Sequence, residues 1–139
     1  MRILLDTNIV IHREVSLPVN EGIGYLFYWI DNLGFTKCVH QITVDEILRN
    51  LDPQMNKALS IRLRNYNVLP IGAGLHPNVA KCSAGPDVTA NNLNEVILLD
   101  EVYCGRVEAL ITEDIVIHRK ARSLEYLVQT GTTGNCRLS

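Results

Sequence analysis

Apolar and polar positions fall in short blocks along the chain. Ile3-Leu4-Leu5 runs directly into Asp6-Thr7-Asn8, which predicts a buried strand that stops at a polar turn. A strand apolar at every position fits a parallel sheet covered on both faces. From Glu21 to Leu33 the residues Ile23, Leu26, Phe27, Ile30 and Leu33 recur with helical spacing, and Gly34 stops the helix. Cys38-Val39-His40 reads as a second strand. Thr43 followed by Glu46 predicts a capping box at the start of the next helix, and Pro53 opens another that reaches about Asn65.

Val68-Leu69-Pro70-Ile71 is a weaker strand that belongs at a sheet edge, because Pro70 cannot donate to a ladder. Residues 72–90, rich in Gly, Pro, Asn and Ser, read as an irregular connection. Helical spacing resumes from Leu93 to Tyr103 and ends at Gly105. Ala109-Leu110-Ile111-Thr112 is a further short strand, residues 115–124 a helix, and Tyr126-Leu127-Val128 a last strand. Strands alternating with helices predict an α/β fold, a parallel sheet sandwiched between helices. Ligands of such sheets sit beyond the carboxyl ends of the strands, which singles out Asp6-Thr7-Asn8 and Thr112-Glu113-Asp114.

Composition narrows the picture. With 139 residues, 47% apolar and 20% charged, the chain suits one domain, residues 1–139, with a polar flexible tail over 130–139. The net charge of −2 means that any basic groove for nucleic acid is local. Cys38, Cys82, Cys104 and Cys136 lack the spacing of a zinc site and are expected as free thiols in a reducing compartment. No apolar run is long enough for a signal peptide or a membrane span, so a cytoplasmic protein away from membranes is expected.

Asp6 and Asp114 at strand ends, with Glu46 and Glu95 near helix starts, could converge from four elements on one crevice. Like charges at 4 Å repel by about 4 kcal/mol at the effective dielectric of a protein surface, so such a cluster asks for a cation. Carboxylate oxygens without Cys or His partners suit Mg²⁺ or Mn²⁺ better than zinc. Mg²⁺ keeps several waters and accepts phosphate oxygens, which makes a phosphodiester the fitting substrate.

Ile3-Leu4-Leu5-Asp6-Thr7-Asn8, Val44-Asp45-Glu46-Ile47 and Ala109-Leu110-Ile111-Thr112-Glu113-Asp114 resemble, in order, three motifs of the PIN-domain family, and the likeness covers nearly the whole chain. The segment from Leu110 to Ala121, with His118 and Lys120, is similar to one bacterial branch. The resemblance implies a three-layer sandwich around a mainly parallel five-stranded sheet. It also implies an acidic pocket for Mg²⁺ or Mn²⁺ and metal-dependent endoribonuclease activity. Toxin nucleases paired with an antitoxin, and homodimers, are frequent among small members, so RNA, an antitoxin protein and a second copy are the expected partners. Under this reading Asp6, Glu46, Glu95 and Asp114 are catalytic, with Asp6, Asp114 and Glu95 on the metal. Glu46 holds metal-bound water or orients the attacking one, Asn8 fixes the first loop, and Thr112 supports Asp114 or touches phosphate. The family's third acid falls on Asn94 or Glu95 when counted back from Leu110-Ile111-Thr112.

Plainer readings stand beside these. Asp6 can be a turn former, Asp114 a helix cap, Glu46 a partner of a helix dipole, and Glu95 the capping-box partner of Asn92. The histidines His12, His40, His76 and His118 are expected on the surface or in loops. Arg62, Arg64, Arg119, Lys120 and Arg122 can line a groove for phosphates or form solvated helix faces, and Tyr25, Phe27, Tyr28 and Trp29 suit core and dimer surface. Gly72-Ala73-Gly74 fails as a nucleotide loop because Pro77 stands where the third glycine belongs. An aspartate-nucleophile phosphatase would need a second Asp where Asn8 stands. A PIN-like RNA- or protein-binding module whose pocket has lost catalysis is the alternative function.

Overall fold

The computed structural model describes residues 1–14, 21–50, 52–72, 74–82 and 90–129. Four strands, β1 (Arg2–Leu5), β2 (Thr36–His40), β3 (Asn67–Leu69) and β4 (Ala109–Ile111), form a sheet in the order β3-β2-β1-β4. β1 pairs with β2 and β2 with β3, both in parallel, with Leu4 opposite Cys38 and Val39 opposite Val68. Helices α1 (Thr7–Glu14) and α2 (Glu21–Asn32) lie between β1 and β2 in the chain. α3 (Gln41–Asn50) and α4 (Pro53–Arg62), followed by a 3₁₀ turn, lead from β2 to β3, and α5 (Pro77–Cys82) and α6 (Ala90–Tyr103) lead on to β4. α7 (Ile115–Gln129) closes the described chain. No helix among the described residues is long and apolar enough to cross a membrane.

The chain divides into two compact units: Met1–Ile71 with Ile111–Glu113, and Gly72–Leu110 with the chain from Asp114. In the first unit Ile3, Leu5 and Val39 pack with Ile9, Val10, Ile23, Phe27 and Ile47. Leu4 and Cys38 are equally buried on the opposite face of the strands, the period-two alternation of a sheet covered on both sides. In the second unit Val79, Val96, Leu99, Tyr103 and Leu124 form a separate core.

Local chemistry explains most element boundaries. Asp52 Oδ1 accepts the Gln54 and Met55 N–H groups at 2.9 and 3.0 Å and caps α4 ahead of Pro53. Such a cap contributes about 1 kcal/mol. Gly34 and Gly105 turn the chain at φ of 67° and 75°, after α2 and α6 respectively. β3 stands at the sheet edge, and Pro70 follows it.

Several expectations are corrected. Thr7 and Asn8 belong to α1 instead of a turn. α3 begins at Gln41, so Thr43 lies inside the helix and forms no capping box with Glu46; the buried His40 acts in its place, its Nδ1 accepting the Ile42 N–H at 3.2 Å. His40 is therefore a core residue and not a surface one. α5 occupies part of the stretch read as irregular. α6 begins at Ala90, which places Asn92 inside the helix and removes it as a cap for Glu95. Residues 126–128 continue α7, so they supply no fifth strand. Ile117, Ala121, Leu124 and Val128 follow helical spacing, which outweighs the β preference of three consecutive residues. Cys38 and Cys104 are free thiols; the 130–139 tail, with Cys136, lies outside the described residues.

Candidate functional site

In the first unit the carboxyl ends of β1 and β4 stand side by side. Ile111 ends β4, and its carbonyl accepts the Asp6 N–H at 3.1 Å. Asp6 is 8% exposed, and both of its carboxylate oxygens are engaged. Oδ1 accepts the Thr7 N–H at 2.7 Å, and Oδ2 accepts the Thr112 hydroxyl at 2.6 Å. The Asp6 carbonyl accepts the Val10 N–H at 3.2 Å, so Asp6 also caps α1, where a carboxylate is favoured by the helix dipole.

Glu46 joins the same group through α3. The Thr7 hydroxyl donates to Glu46 Oε2 at 3.2 Å, and Thr43 Oγ1 lies 3.5 Å from that hydroxyl. Asp6, Thr7, Glu46 and Thr112 are thereby linked. Asn8 is exposed on the first turn of α1. His12 Nε2 lies 3.8 Å from Glu113 Oε2, both partly exposed.

In the second unit Glu95 of α6 meets Asp114, the residue that opens α7. Asp114 Oδ1 accepts the Val116 N–H at 2.8 Å, so its capping role is realised. The Glu95 carboxyl is held above its ordinary range, first by burial, then by its hydrogen bond with Asp114 and by the charge of Asp114; Lys120 opposes the shift. Lys120 Nζ lies 3.5 Å from Glu95 Oε2, and that buried oxygen has no hydrogen-bond partner. Asn94 is half-buried on α6, and Arg119 and Arg122 are exposed on α7. Lys120 lies against a carboxylate, its side chain 17% exposed.

A second acidic pair in this unit escaped the sequence reading. Asp100 and Glu101, both buried, share Arg106: Nη2 meets Asp100 Oδ2 at 2.7 Å and Nε donates to Glu101 Oε2. Asp100 Oδ1 accepts the His76 N–H at 2.9 Å, and Asn78 Nδ2 donates to the Tyr103 hydroxyl at 3.0 Å. The Arg106 N–H bonds the Glu101 carbonyl at 3.0 Å, so the network fastens the chain after Gly105 back onto the end of α6. Its signal in the sequence is a glycine followed by an arginine just beyond two adjacent acids on a helix.

On α2 Phe27 is buried, whereas Tyr25, Tyr28 and Trp29 are exposed and not part of the core. The Tyr28 and Trp29 rings meet edge to face at 5.6 Å. Among the described residues no group of three or more His, Cys, Asp or Glu stands close enough to hold a metal ion. The chemistry available among the described residues is thus three carboxylate groupings: Asp6 and Glu46 bonded to hydroxyls in the first unit, and in the second Glu95 with Asp114 beside an ammonium and Asp100 with Glu101 beside a guanidinium. Comparisons with protein-family models, with curated proteins and with solved structures return no match.

Proposed function

We propose that the chain is a metal-dependent endoribonuclease of the PIN type that hydrolyses RNA phosphodiester bonds. The meeting of Glu95 with Asp114 carries the reading: a carboxyl on α6 and one just ahead of α7 share a partly buried place, and one of their oxygens lacks a hydrogen-bond donor. Protein sites for Mg²⁺ commonly use one or two carboxylates and leave the remaining positions to water and phosphate oxygens, so this pair fits the ion. Glu95 and Asp114 would hold it; Asp6 and Glu46 are the further acids that the motif order assigns to the reaction. A bound Mg²⁺ or Mn²⁺ supplies Lewis acidity, lowering the pKa of a water and offsetting charge on the scissile phosphate.

The chain's own residues do the rest. Thr112 and the Thr7 N–H fix the Asp6 carboxylate in one orientation. Glu46, held by the Thr7 hydroxyl, is the carboxylate of the first unit that would orient a water. Asn8 supports the first turn of α1, and Arg119 and Arg122 receive RNA phosphates. The fifth strand of a three-layer sandwich, a cytoplasmic setting, a homodimer through the exposed α2 aromatics and pairing with an antitoxin belong to the same reading.

The test is cleavage of an unstructured RNA by the purified chain with Mg²⁺ or Mn²⁺. Activity lost on chelation, and lost again in Asp6→Asn and Asp114→Asn, is the expected result. A second reading, an RNA- or protein-binding module without catalysis, draws support from the ammonium against Glu95. RNA retained by the chain but left intact with either ion, across several substrates, would establish that second reading.

A further inference from the structure

We propose that Lys120 is the internal counter-ion of the Glu95 and Asp114 pair, an ammonium that holds the place a divalent cation takes and thereby sets how tightly that cation binds. The inference rests on the metal-dependent reading above and concerns the regulation of the same site. All three residues belong to one unit: Glu95 from α6, Asp114 at the head of α7, and Lys120 within α7.

Lys120 Nζ and Glu95 Oε2 are 3.5 Å apart, and both side chains are 17% exposed. The oxygen has no hydrogen-bond donor, so the contact is charge against charge. Two carboxylates in hydrogen-bonding contact with each other repel once both are ionised, and an ammonium beside them offsets that repulsion. A compact ammonium on a four-carbon stem suits this role, because it can withdraw by rotamer changes when a stronger cation arrives. The neighbouring Arg119 and Arg122 are exposed on α7. A lysine serving RNA alone would present its ammonium to solvent; Lys120 keeps it against a carboxylate.

Mn²⁺ binding by the purified chain, followed by electron paramagnetic resonance of the free ion, tests the inference without reference to activity. Lys120→Met keeps the length of the stem and removes the charge, and it is expected to bind Mn²⁺ about tenfold or more tightly than the parent. Lys120→Arg retains the charge and should bind as the parent does. Lys120→Gln repeats the neutralisation if the Met variant fails to fold by circular dichroism. Parent-like or weaker Mn²⁺ binding in the folded neutral variants, with Mn²⁺ still bound by the parent and released in Asp114→Asn, overturns the counter-ion role alone. Mn²⁺ bound by neither the parent nor the neutral variants overturns both this role and the metal-dependent reading.

Discussion

Thr112 shows how one hydroxyl can hold a buried carboxylate in place. Its proton goes to a carboxylate that is 8% exposed, and valine in its place would match its shape but leave Asp6 Oδ2 without that donor. Hydrogen bonds to charged groups are worth about 1.5–3 kcal/mol, and Thr112→Val should lower the unfolding free energy by that amount in urea titrations. Glu95 offers a test through pH. Its carboxyl is raised in the folded chain, by burial first and by Asp114 next, so folding favours the protonated form. The stability this gives is fully present below the ordinary glutamate value of 4.5 and is lost as pH rises through the raised folded value. Glu95→Gln stays neutral throughout. In a metal-free buffer its melting temperature should therefore gain on the parent as pH rises above that range, and a gap that stays constant with pH would contradict the assignment. Asp6, Glu46, Glu95 and Asp114 were all visible in the sequence as acids near the ends of elements. Their grouping in pairs was not, since it depends on Thr7, Thr112 and Lys120, whose contacts carry no sequence period.

At the level of elements, the apolar pattern revealed β1, β2 and α2, which bury a run or stripe, and the half-buried β4, whereas α4 was legible from Pro53, since Leu59 is its one buried residue. α1 was hidden because Asp-Thr-Asn is turn vocabulary, and the same aspartate can equally start a helix. α5 was hidden among glycines and prolines, although Pro77 is an acceptable first residue of a helix. The extension of α7 through 126–128 shows a short apolar run that fits either period. Asp100 and Glu101 were passed over because charged residues on a helix normally face water; both are buried because Arg106 returns to them. Removing that guanidinium takes the paired cation away from two buried carboxylates. Arg106→Met should cost about 3 kcal/mol, the lower end for a broken buried pair because the arginine itself is half-exposed, as chemical denaturation will measure.

For the molecule as a whole, the net charge of −2 provides no general attraction for RNA. Under the proposed function, affinity would come from a few local cations, and each phosphate contact would contribute about 0.7 to the slope of log affinity against log salt for a single strand. Arg122→Gln should reduce that slope by about 0.7 in fluorescence binding titrations, with little change in sequence preference. An unchanged slope would remove Arg122 from the interface. The fastening of Gly105 and Arg106 onto the end of α6 has a different kind of consequence. It makes residues 105–108 a spacer of fixed length ahead of a strand with a two-residue repeat, so this junction tolerates no insertion even where other surface connections would. One alanine added after Val107 would turn the following side chains over and carry the Thr112 hydroxyl away from Asp6, so its loss of stability should match or exceed that of Thr112→Val.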